Sequence, residues 1–138
     1  MAAARPTQSQ YQLLAGWRHA LRRFLNFSHE AARSAGMSPQ HYQALLALKG
    51  APDTARLSIG ELATQLQLRH HSAVGLVNRL GDRGLIRRID SQTDGRRVEL
   101  ALTARGERII ARMAVIHLRE LRQLGPEMRR LLGAITRP

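Results

Sequence analysis

The stretch LSIGELATQLQLRHHSAVGLVNRLGDRGLIRRIDSQTDGRRVELALTARG, residues 57–106, decides the fold of this chain. Its first part holds two short amphipathic segments, one after Ser58 and one from about His70 to Asp82, with a tight turn at Gln67-Leu68 between them. In each segment the apolar residues recur at the spacing of one helix face. Two short, adjacent helices joined by a tight turn are typical of a helix-turn-helix.

Capping signals set the ends of these two helices. Ser58 and Glu61 have the spacing of a capping box, in which the serine hydroxyl accepts from the amide of Glu61 and the carboxylate reaches back to the amide of Ser58. Gly84 follows the second helix and can take the left-handed conformation that ends a helix. The sequence therefore predicts both helices within well-defined bounds.

A β-hairpin is predicted after the second helix. Residues 85–90 and 97–102 alternate apolar and polar side chains, and the intervening SQTDGR, residues 91–96, is rich in turn formers. The apolar positions are Ile86, Ile89, Val98, Leu100 and Leu102. Thr103 is then placed to cap a helix that follows the hairpin.

Long amphipathic helices are expected on both sides of this segment. From about Gln8 to Ala35 apolar residues recur every three or four positions until Gly36, and Ser38-Pro39 opens a further helix. After Thr103 the same periodicity continues to Gly125-Pro126. There we expect a break, followed by a last short helix.

The composition points to an anionic partner. The 138 residues include 22 Lys plus Arg against 10 Asp plus Glu, which gives a formal net charge of +12. Nucleic-acid phosphate and an anionic membrane surface are the two candidates. All basic residues except Lys49 are Arg. Guanidinium pairs bidentately with phosphate and with guanine edges, which favours DNA, although a GC-rich coding sequence would also enrich Arg.

Several classes of protein are disfavoured by what the sequence does not contain. There is no Cys, so disulfides, thiolate metal sites and thiol redox sensing are excluded. No apolar run approaches the roughly 18 to 20 residues of a membrane span. The start of the chain, Met1 to Thr7, does not have the pattern of a signal peptide and is expected to be a short disordered lead. We therefore expect a cytoplasmic protein without a membrane partner.

The motifs of residues 57–106 together resemble the MarR family of transcriptional regulators. The wing signature of that family is Asp-x-Arg, then alternating apolar residues, then a Leu-Thr that begins the next helix. The matching segments here are LSIGELA at 57–63, LVNRL at 76–80, DRGLI at 82–86, and Asp94-Gly95-Arg96 followed by Val98, Leu100, Leu102-Thr103 and Gly106.

The resemblance implies a fold that is mainly α with a small antiparallel β-hairpin as the wing. It implies a single domain over 1–138, with dimerisation helices at 8–35 and 103–136 around a winged helix-turn-helix lobe at 38–102. The expected partners are a second copy of the chain and a pseudo-palindromic double-stranded DNA operator, with recognition helices in successive major grooves. Such proteins are usually repressors, often released by a small ligand.

The expected DNA-binding residues lie on the second helix of the motif and on the wing. Asn and Arg side chains read adenine and guanine edges, and a wing arginine can enter a minor groove. These residues are Arg69, His70, His71, Ser72, Val74, Gly75, Asn78 and Arg79 on the helix, and Asp94, Arg96 and Arg97 on the wing.

Three details of this site follow from the comparison with the family pattern. Val74-Gly75 stands where a polar or basic residue is usual, and Arg69 replaces the usual capping Ser. The resemblance implies that Asp94 orients a neighbouring arginine, either Arg79 or Arg96, through a charge-assisted hydrogen bond. Three further arginines are expected to contact the DNA backbone: Arg83, Arg87 and Arg88. For Arg87 and Arg88 a solvated strand edge is the alternative.

A ligand pocket and a metal site are the remaining binding hypotheses. By resemblance, an effector pocket would be lined by Trp17, Phe24, Phe27, His41 and Tyr42, and the alternative is that these are ordinary core and dimer-interface residues. Histidines at 19, 29, 41 and 117 suggest zinc. No His pair in the long helices is three or four residues apart, so no metal is expected.

An enzyme and an architectural nucleic-acid-binding protein are the two other functional classes to consider. The sequence contains no nucleophile elbow, phosphate loop, HExxH motif or paired carboxylates, so we expect no enzyme and no cofactor. A non-specific architectural nucleic-acid-binding protein is the alternative that the net charge alone would allow.

Overall fold

A computed structural model describes residues 3–91 and 94–138. The helices are α1 (Gln8–Ser34), α2 (Pro39–Gly50), α3 (Ile59–Leu66), α4 (His70–Asp82) and α5 (Ala104–Ile135). A 3₁₀ turn, Asp53–Ala55, follows α2, and strands β1 (Ile86–Asp90) and β2 (Val98–Leu102) form an antiparallel pair. Two predicted features fall partly outside the described residues: Met1 and Ala2 of the lead, and Gln92 and Thr93 of the hairpin turn. The predicted fold class is confirmed.

The chain divides into two compact units. Residues Ala31–Ala114 form what we call the winged unit, and the residues up to Glu30 and from Val115 form the helical unit. Helices α1 and α5 each contribute residues to both units. The expected division into dimerisation helices and a DNA-binding lobe within a single domain stays a prediction.

The core of the winged unit is built from leucines of the helix-turn-helix and the hairpin. Fully buried side chains come from α2, α3, α4 and β2: Leu45, Leu62, Leu76, Leu80 and Leu100. β1 and β2 pair in the register Ile86↔Leu102 to Asp90↔Val98, and the amide of Leu100 also donates to the carbonyl of Leu57 at 2.9 Å. The predicted hairpin is confirmed, and Val98, in the last pair of the ladder, is 38% exposed.

Helix ends are set by the residues that the sequence singled out. Ser58 and Glu61 make both hydrogen bonds of the predicted capping box, at 3.2 and 2.9 Å. Gly36 and Gly84 have φ values of +74° and +70° after α1 and α4, where a side chain would be strained. The turn between α3 and α4 uses Gln67 in the left-handed region, with φ 55°.

Gly106 holds the start of α5 against the end of the helix-turn-helix. A Cβ atom at this position would lie 2.1 Å from the carbonyl oxygen of Leu85, which no side chain could occupy. The amide of Thr103 donates to that same oxygen at 3.0 Å, and the Thr103 hydroxyl accepts from the amide of Gly106 at 3.1 Å. The predicted cap at Thr103 is confirmed.

In the helical unit, small residues of α1 lie against leucines of α5. A Cβ atom added to Gly16 would come within 3.1 Å of the Leu131 side chain, and Ala20 is fully buried. Leu124 and Leu131 are only 4% and 5% exposed. The chain itself therefore covers these two leucines.

The predicted helix break at Gly125-Pro126 is also wrong. Helix α5 continues from Ala104 to Ile135 with Pro126 inside it. Proline normally crowds the residue before it out of the helical conformation, but Gly125 has no Cβ and so relieves part of that clash. Leu124 and Leu131 are buried on either side of the proline, and this packing favours a continuous helix.

Among the described residues, no helix is both long enough and apolar enough for a membrane crossing.

Candidate nucleic-acid interface

Helix α4 has one buried face and one exposed face, as an element that lies in a DNA groove requires. The buried side chains are Ala73, Leu76, Val77 and Leu80. The exposed ones are His70, His71, Ser72, Asn78 and Arg79, which were all predicted to contact DNA. Val74 and Gly75 are half-buried, and the exposed Arg69 occupies the N-cap position without a capping hydrogen bond from its side chain. DNA contact by these residues stays a prediction.

Gly75 leaves room for the Arg79 side chain. A Cβ atom at position 75 would lie 3.3 Å from Nη1 of Arg79, so this guanidinium lies along the surface of α4 one turn before its own residue. A glycine at position 75 of α4 therefore avoids crowding of the Arg79 side chain. It gives Arg79 a place on the exposed face.

Arg88 of β1 orients Asn78 of α4. Its Nη2 atom donates to the Asn78 side-chain oxygen at 2.6 Å. A bidentate contact to adenine uses both the oxygen and the amide nitrogen of an asparagine, so Arg88 fixes the group that would read the base. We had expected Arg88 to contact the DNA backbone or to be solvated, and its bond to Asn78 was not predicted.

Backbone hydrogen bonds shape the tip of the wing. Oδ1 of Asp94 accepts from the backbone amide of Arg96 at 3.1 Å, and the carbonyl of Asp94 accepts from the amide of Arg97 at 2.9 Å. The Asp94 carboxylate therefore bonds to Arg96, one of the two arginines that it was expected to orient, and it does so through the backbone amide. In the described part of the chain, no carboxylate pairs with the exposed Arg96 side chain.

The Arg97 side chain turns back towards α3. It contacts the Glu61 carboxylate, donates from Nη2 to the carbonyl of Arg56 at 2.9 Å, and lies 3.5 Å from Glu99. Neighbouring residues of the wing thus differ: Arg96 is exposed, while only 34% of the Arg97 side chain is.

An open cleft of about 440 Å³ lies between the wing and the first turns of α3 and α4. Among the described residues that line it, Asp94 is the one acid, and its carboxylate already accepts from an amide. The lining residues are Ser58, Ile59, Gly60, His70, Asp94, Arg96, Arg97 and Val98. A cleft with these donors has the chemistry to accept an anion such as a phosphate group.

Arg83, which we expected at the DNA backbone, contacts the junction of α1 and α2. Its Nη2 donates to the carbonyl of Gly36 at 2.7 Å, and its Nη1 lies 3.1 Å from Nδ1 of His41. Partial burial lowers the pKa of His41, and the charges of Arg83 and Arg79 lower it further. The imidazole is therefore neutral at pH 7.

The residues proposed to line an effector pocket divide between the two units. Phe24 and Phe27 of the helical unit meet the buried His117 edge to face, with ring centroids 6.1 and 5.5 Å away. The Nε2 atom of His117 is 2.9 Å from the hydroxyl oxygen of Ser28. Trp17 is half-buried in the same unit. These contacts fit the alternative reading as core residues, and the ligand-binding role stays a prediction.

His41 and Tyr42 belong to the winged unit, where both have structural roles. Nδ1 of His41 accepts from the amide of Ser38 in the capping box of α2. Tyr42 is 7% exposed, and burial raises the pKa of its hydroxyl. In the described part of the chain, no three His, Asp or Glu side chains gather as metal ligands would.

Known proteins are similar to the chain in the sequence pattern of residues 35–97 and in fold. Residues 35–97 match the model of the MarR family. A MarR family protein from Bacillus stearothermophilus is 23% identical, with a TM-score of 0.75 over 88% of this chain and 82% of that one. AbsC, a MarR family transcriptional regulator from Streptomyces coelicolor, is 18% identical, with a TM-score of 0.70 over 99% and 86%.

A mutant of MepR from S. aureus, solved bound to an oligodeoxyribonucleotide, is also similar in fold. It is 17% identical, with a TM-score of 0.67 over 95% of this chain and 100% of that one. No curated protein sequence matches the chain significantly. The match of residues 35–97 to the MarR family model and the fold shared with MarR family structures confirm the resemblance predicted from the motifs.

Proposed function

We propose that the protein is a homodimeric transcriptional repressor that binds a pseudo-palindromic operator in double-stranded DNA. Each protomer would insert α4 into a major groove and place Arg96 of the wing in an adjacent minor groove. The recognition helices of the two protomers would then lie about one helical turn of DNA apart. The reaction is one of binding, and we propose no catalytic step.

The observation that carries this proposal is the exposed face of α4. It presents an asparagine, an arginine and two histidines next to a wing whose Arg96 is exposed, all within the winged unit. The net charge of +12 supports attraction to phosphate. The similar MepR mutant, which was solved with an oligodeoxyribonucleotide, supports the same type of partner.

The surface of the helical unit supports dimerisation. Seven of the nine large apolar side chains that the described residues leave exposed belong to this unit: Tyr11, Leu14, Leu25, Val115, Leu118, Leu121 and Leu132. Exposed apolar side chains at this density mark interaction surfaces. A second copy of the chain would cover them and would bring two α4 helices into one complex.

Selection of bound sequences from a random duplex pool, at two salt concentrations, tests the DNA-binding proposal. An enriched inverted repeat, bound about a thousandfold or more above random DNA, is the expected result. Binding that is steeply salt-dependent but without enrichment would overturn it. That outcome would favour the architectural nucleic-acid-binding protein.

The dimer is tested by Leu118→Glu combined with Leu132→Glu. We expect monomers in sedimentation velocity and loss of operator binding, because two charges would be buried at the interface. Leu46→Glu is the matched control, since Leu46 is 44% exposed but lies on α2 in the winged unit. A double variant that still sediments as a dimer would contradict this surface.

Release by a small ligand is a further part of the proposal. Trp17 is the only tryptophan of the chain, so quenching of its fluorescence reports directly on ligands near the proposed aromatic lining. A ligand that quenches Trp17 should also release the operator. Quenching without release would contradict an effector role. The apolar cleft of about 280 Å³ near the chain ends contains none of the proposed lining residues.

A further inference from the structure

Arg97 stands beside Arg96 on the wing, but its side chain is bonded to groups of the winged unit outside the wing tip. Its guanidinium reaches the carbonyl of Arg56, before α3, and the carboxylates of Glu61 and Glu99. Two carboxylates face this single guanidinium, so Arg97 and its two acids carry one negative charge together. A phosphate group approaching Arg97 would have to compete with both acids.

Glu61 connects Arg97 to the start of α3. The Oε1 atom that contacts Arg97 also accepts from the backbone amide of Ser58 at 2.9 Å, which is one of the two hydrogen bonds of the capping box. The amide bond of Ser58 and then the hydrogen bond of Arg97 lower the pKa of the Glu61 carboxyl, so it is charged at neutral pH. One carboxylate therefore joins the wing to the helix-turn-helix.

Other contacts fix the wing at its middle and within its hairpin, and one of them is the hydrogen bond from Arg88 of β1 to Asn78 of α4. The amide of Ser91 donates to the carbonyl of Arg97 at 2.9 Å and closes the hairpin. The amide of Leu100, in the middle of β2, donates to the carbonyl of Leu57, just before α3. Beyond Leu100 towards the tip, Arg97 supplies the side-chain link to the body of the unit in the described residues. The tip, with Arg96, could pivot about Leu100 if that link were removed.

We propose that Arg97 is a positioning residue: through Glu61 it holds the wing at the angle from which Arg96 reaches DNA, and it does not itself contact phosphate. This inference rests on the proposed DNA-binding function and assigns a different role to one of the residues expected to bind DNA. It also gives Glu61 a second role beyond capping α3.

Operator affinity distinguishes positioning from direct contact through Glu61→Gln. If Glu61 holds Arg97 in place, Glu61→Gln and Arg97→Gln should each weaken operator binding, by about tenfold, as part of the Arg96 contact is lost. The amide that replaces the Glu61 carboxylate retains an oxygen for the Ser58 amide, so α3 should stay folded. If Arg97 contacted phosphate directly, Glu61→Gln would remove a repelling charge and tighten binding, and that result would overturn the proposal.

A double-mutant cycle with Arg96→Ala gives the second test. If Arg97 acts through Arg96, Arg97→Gln should weaken operator binding little in a protein that already carries Arg96→Ala. The fold-loss of affinity in the double variant should then be well below the product of the two single fold-losses. Independent losses that multiply would mean that Arg97 makes its own contact. Arg97→Lys should recover part of the affinity, since an ammonium can still pair with Glu61.

Hydrogen exchange in the free protein separates this inference from the proposed function. The amides of Ser91 and Arg97 should exchange several-fold faster in both test variants, Glu61→Gln and Arg97→Gln, while amides of α2 keep their rates. Arg108→Gln, which removes an exposed charge from α5, is the matched control and should leave wing exchange unchanged. Unchanged wing exchange in both test variants would overturn the positioning role. Failure to find an operator would count against the proposed function alone.

Discussion

Helices α2 and α3 each begin with a capping box. The third helical residue of the box is His41 in α2 and Glu61 in α3. Ser38 and Ser58 each accept from the amide of that residue at 3.2 Å. The side chains reach back to the serine amides at 3.4 and 2.9 Å. An arginine far along the chain contacts each of them, Arg83 at His41 and Arg97 at Glu61.

The two caps differ in how the arginine affects the charge of its neighbour. At Glu61 the guanidinium stabilises a charge that is already present. At His41 both groups facing Nδ1 are donors, the Ser38 amide and the Arg83 guanidinium, so Nδ1 carries no proton. The same backbone motif can therefore be built on an ion pair or on a neutral imidazole.

Removal of Arg83 should have the largest effect on stability. Arg83→Met would lower the free energy of unfolding by about 2 kcal/mol, because the charged hydrogen bond to the Gly36 carbonyl and the contact with His41 are both lost. Urea denaturation measures this, with Arg108→Met as a control for the loss of one positive charge. A loss no greater than that of the control would mean that the cap at His41 does not depend on its arginine.

The capping serines should contribute equally. Ser38→Ala and Ser58→Ala are each expected to lower the free energy of unfolding by about 1 kcal/mol, because the amides of His41 and Glu61 lose their acceptor. The same denaturation experiment compares the two variants. A clearly larger loss at Ser58 would indicate that the link between Arg97 and Glu61 depends on this hydroxyl.

Conversion of the His41 cap of α2 into a carboxylate cap like that of α3 should change the free energy of unfolding by a smaller amount. His41→Glu places a carboxylate beside Arg83 and keeps an acceptor for the Ser38 amide, so it should raise the free energy of unfolding at pH 7 by about 0.5 kcal/mol. High salt should reduce the gain. If the variant is destabilised, the site requires the shape of the imidazole and not merely an acceptor.

The last prediction concerns how the free energy of unfolding changes with pH. The folded protein lowers the pKa of His41, so its contribution to stability is complete above about pH 6.5 and is lost as pH falls through the folded pKa. The pKa of Glu61 is lowered as well, and its contribution is lost only below about pH 4.3. His41→Gln should remove the upper slope and Glu61→Gln the lower one. His19→Gln, at an exposed position, should change neither.

Local signals in the sequence predicted much of the fold. The capping box at Ser58 and Glu61, the glycine after α4 and the cap at Thr103 involve residues within a few positions of one another, so their geometry follows from spacing alone. The bounds predicted for α4, His70 to Asp82, agree with the structure. The continuous α5 was missed because burial of Leu124 and Leu131 outweighs the local effect of Pro126.

For the candidate site, the sequence predicted which residues lie on the exposed face but not which side chains contact one another. Exposure of His70, Asn78 and Arg96 follows from helix and hairpin periodicity. The roles of Arg83 and Arg97 do not, because their partners lie 47 and 36 residues away and arginine is equally common at DNA, in ion pairs and in solvent. A capping residue that is also an acid, such as Glu61, is the one signal that could have suggested a partner arginine.

The helical unit consists of two segments that are far apart in the sequence, the residues up to Glu30 and those from Val115. This separation affects how the unit folds during translation. Its long-range contacts join Arg23 to Glu127 and Ser28 to His117, which are 104 and 89 residues apart. The winged unit is complete at Ala114, whereas α1 must wait for the far end of α5. At ordinary ribosome speeds that wait lasts roughly 5 to 20 s. During translation, α1 is therefore an amphipathic helix without its partner while the winged unit already has all of its residues.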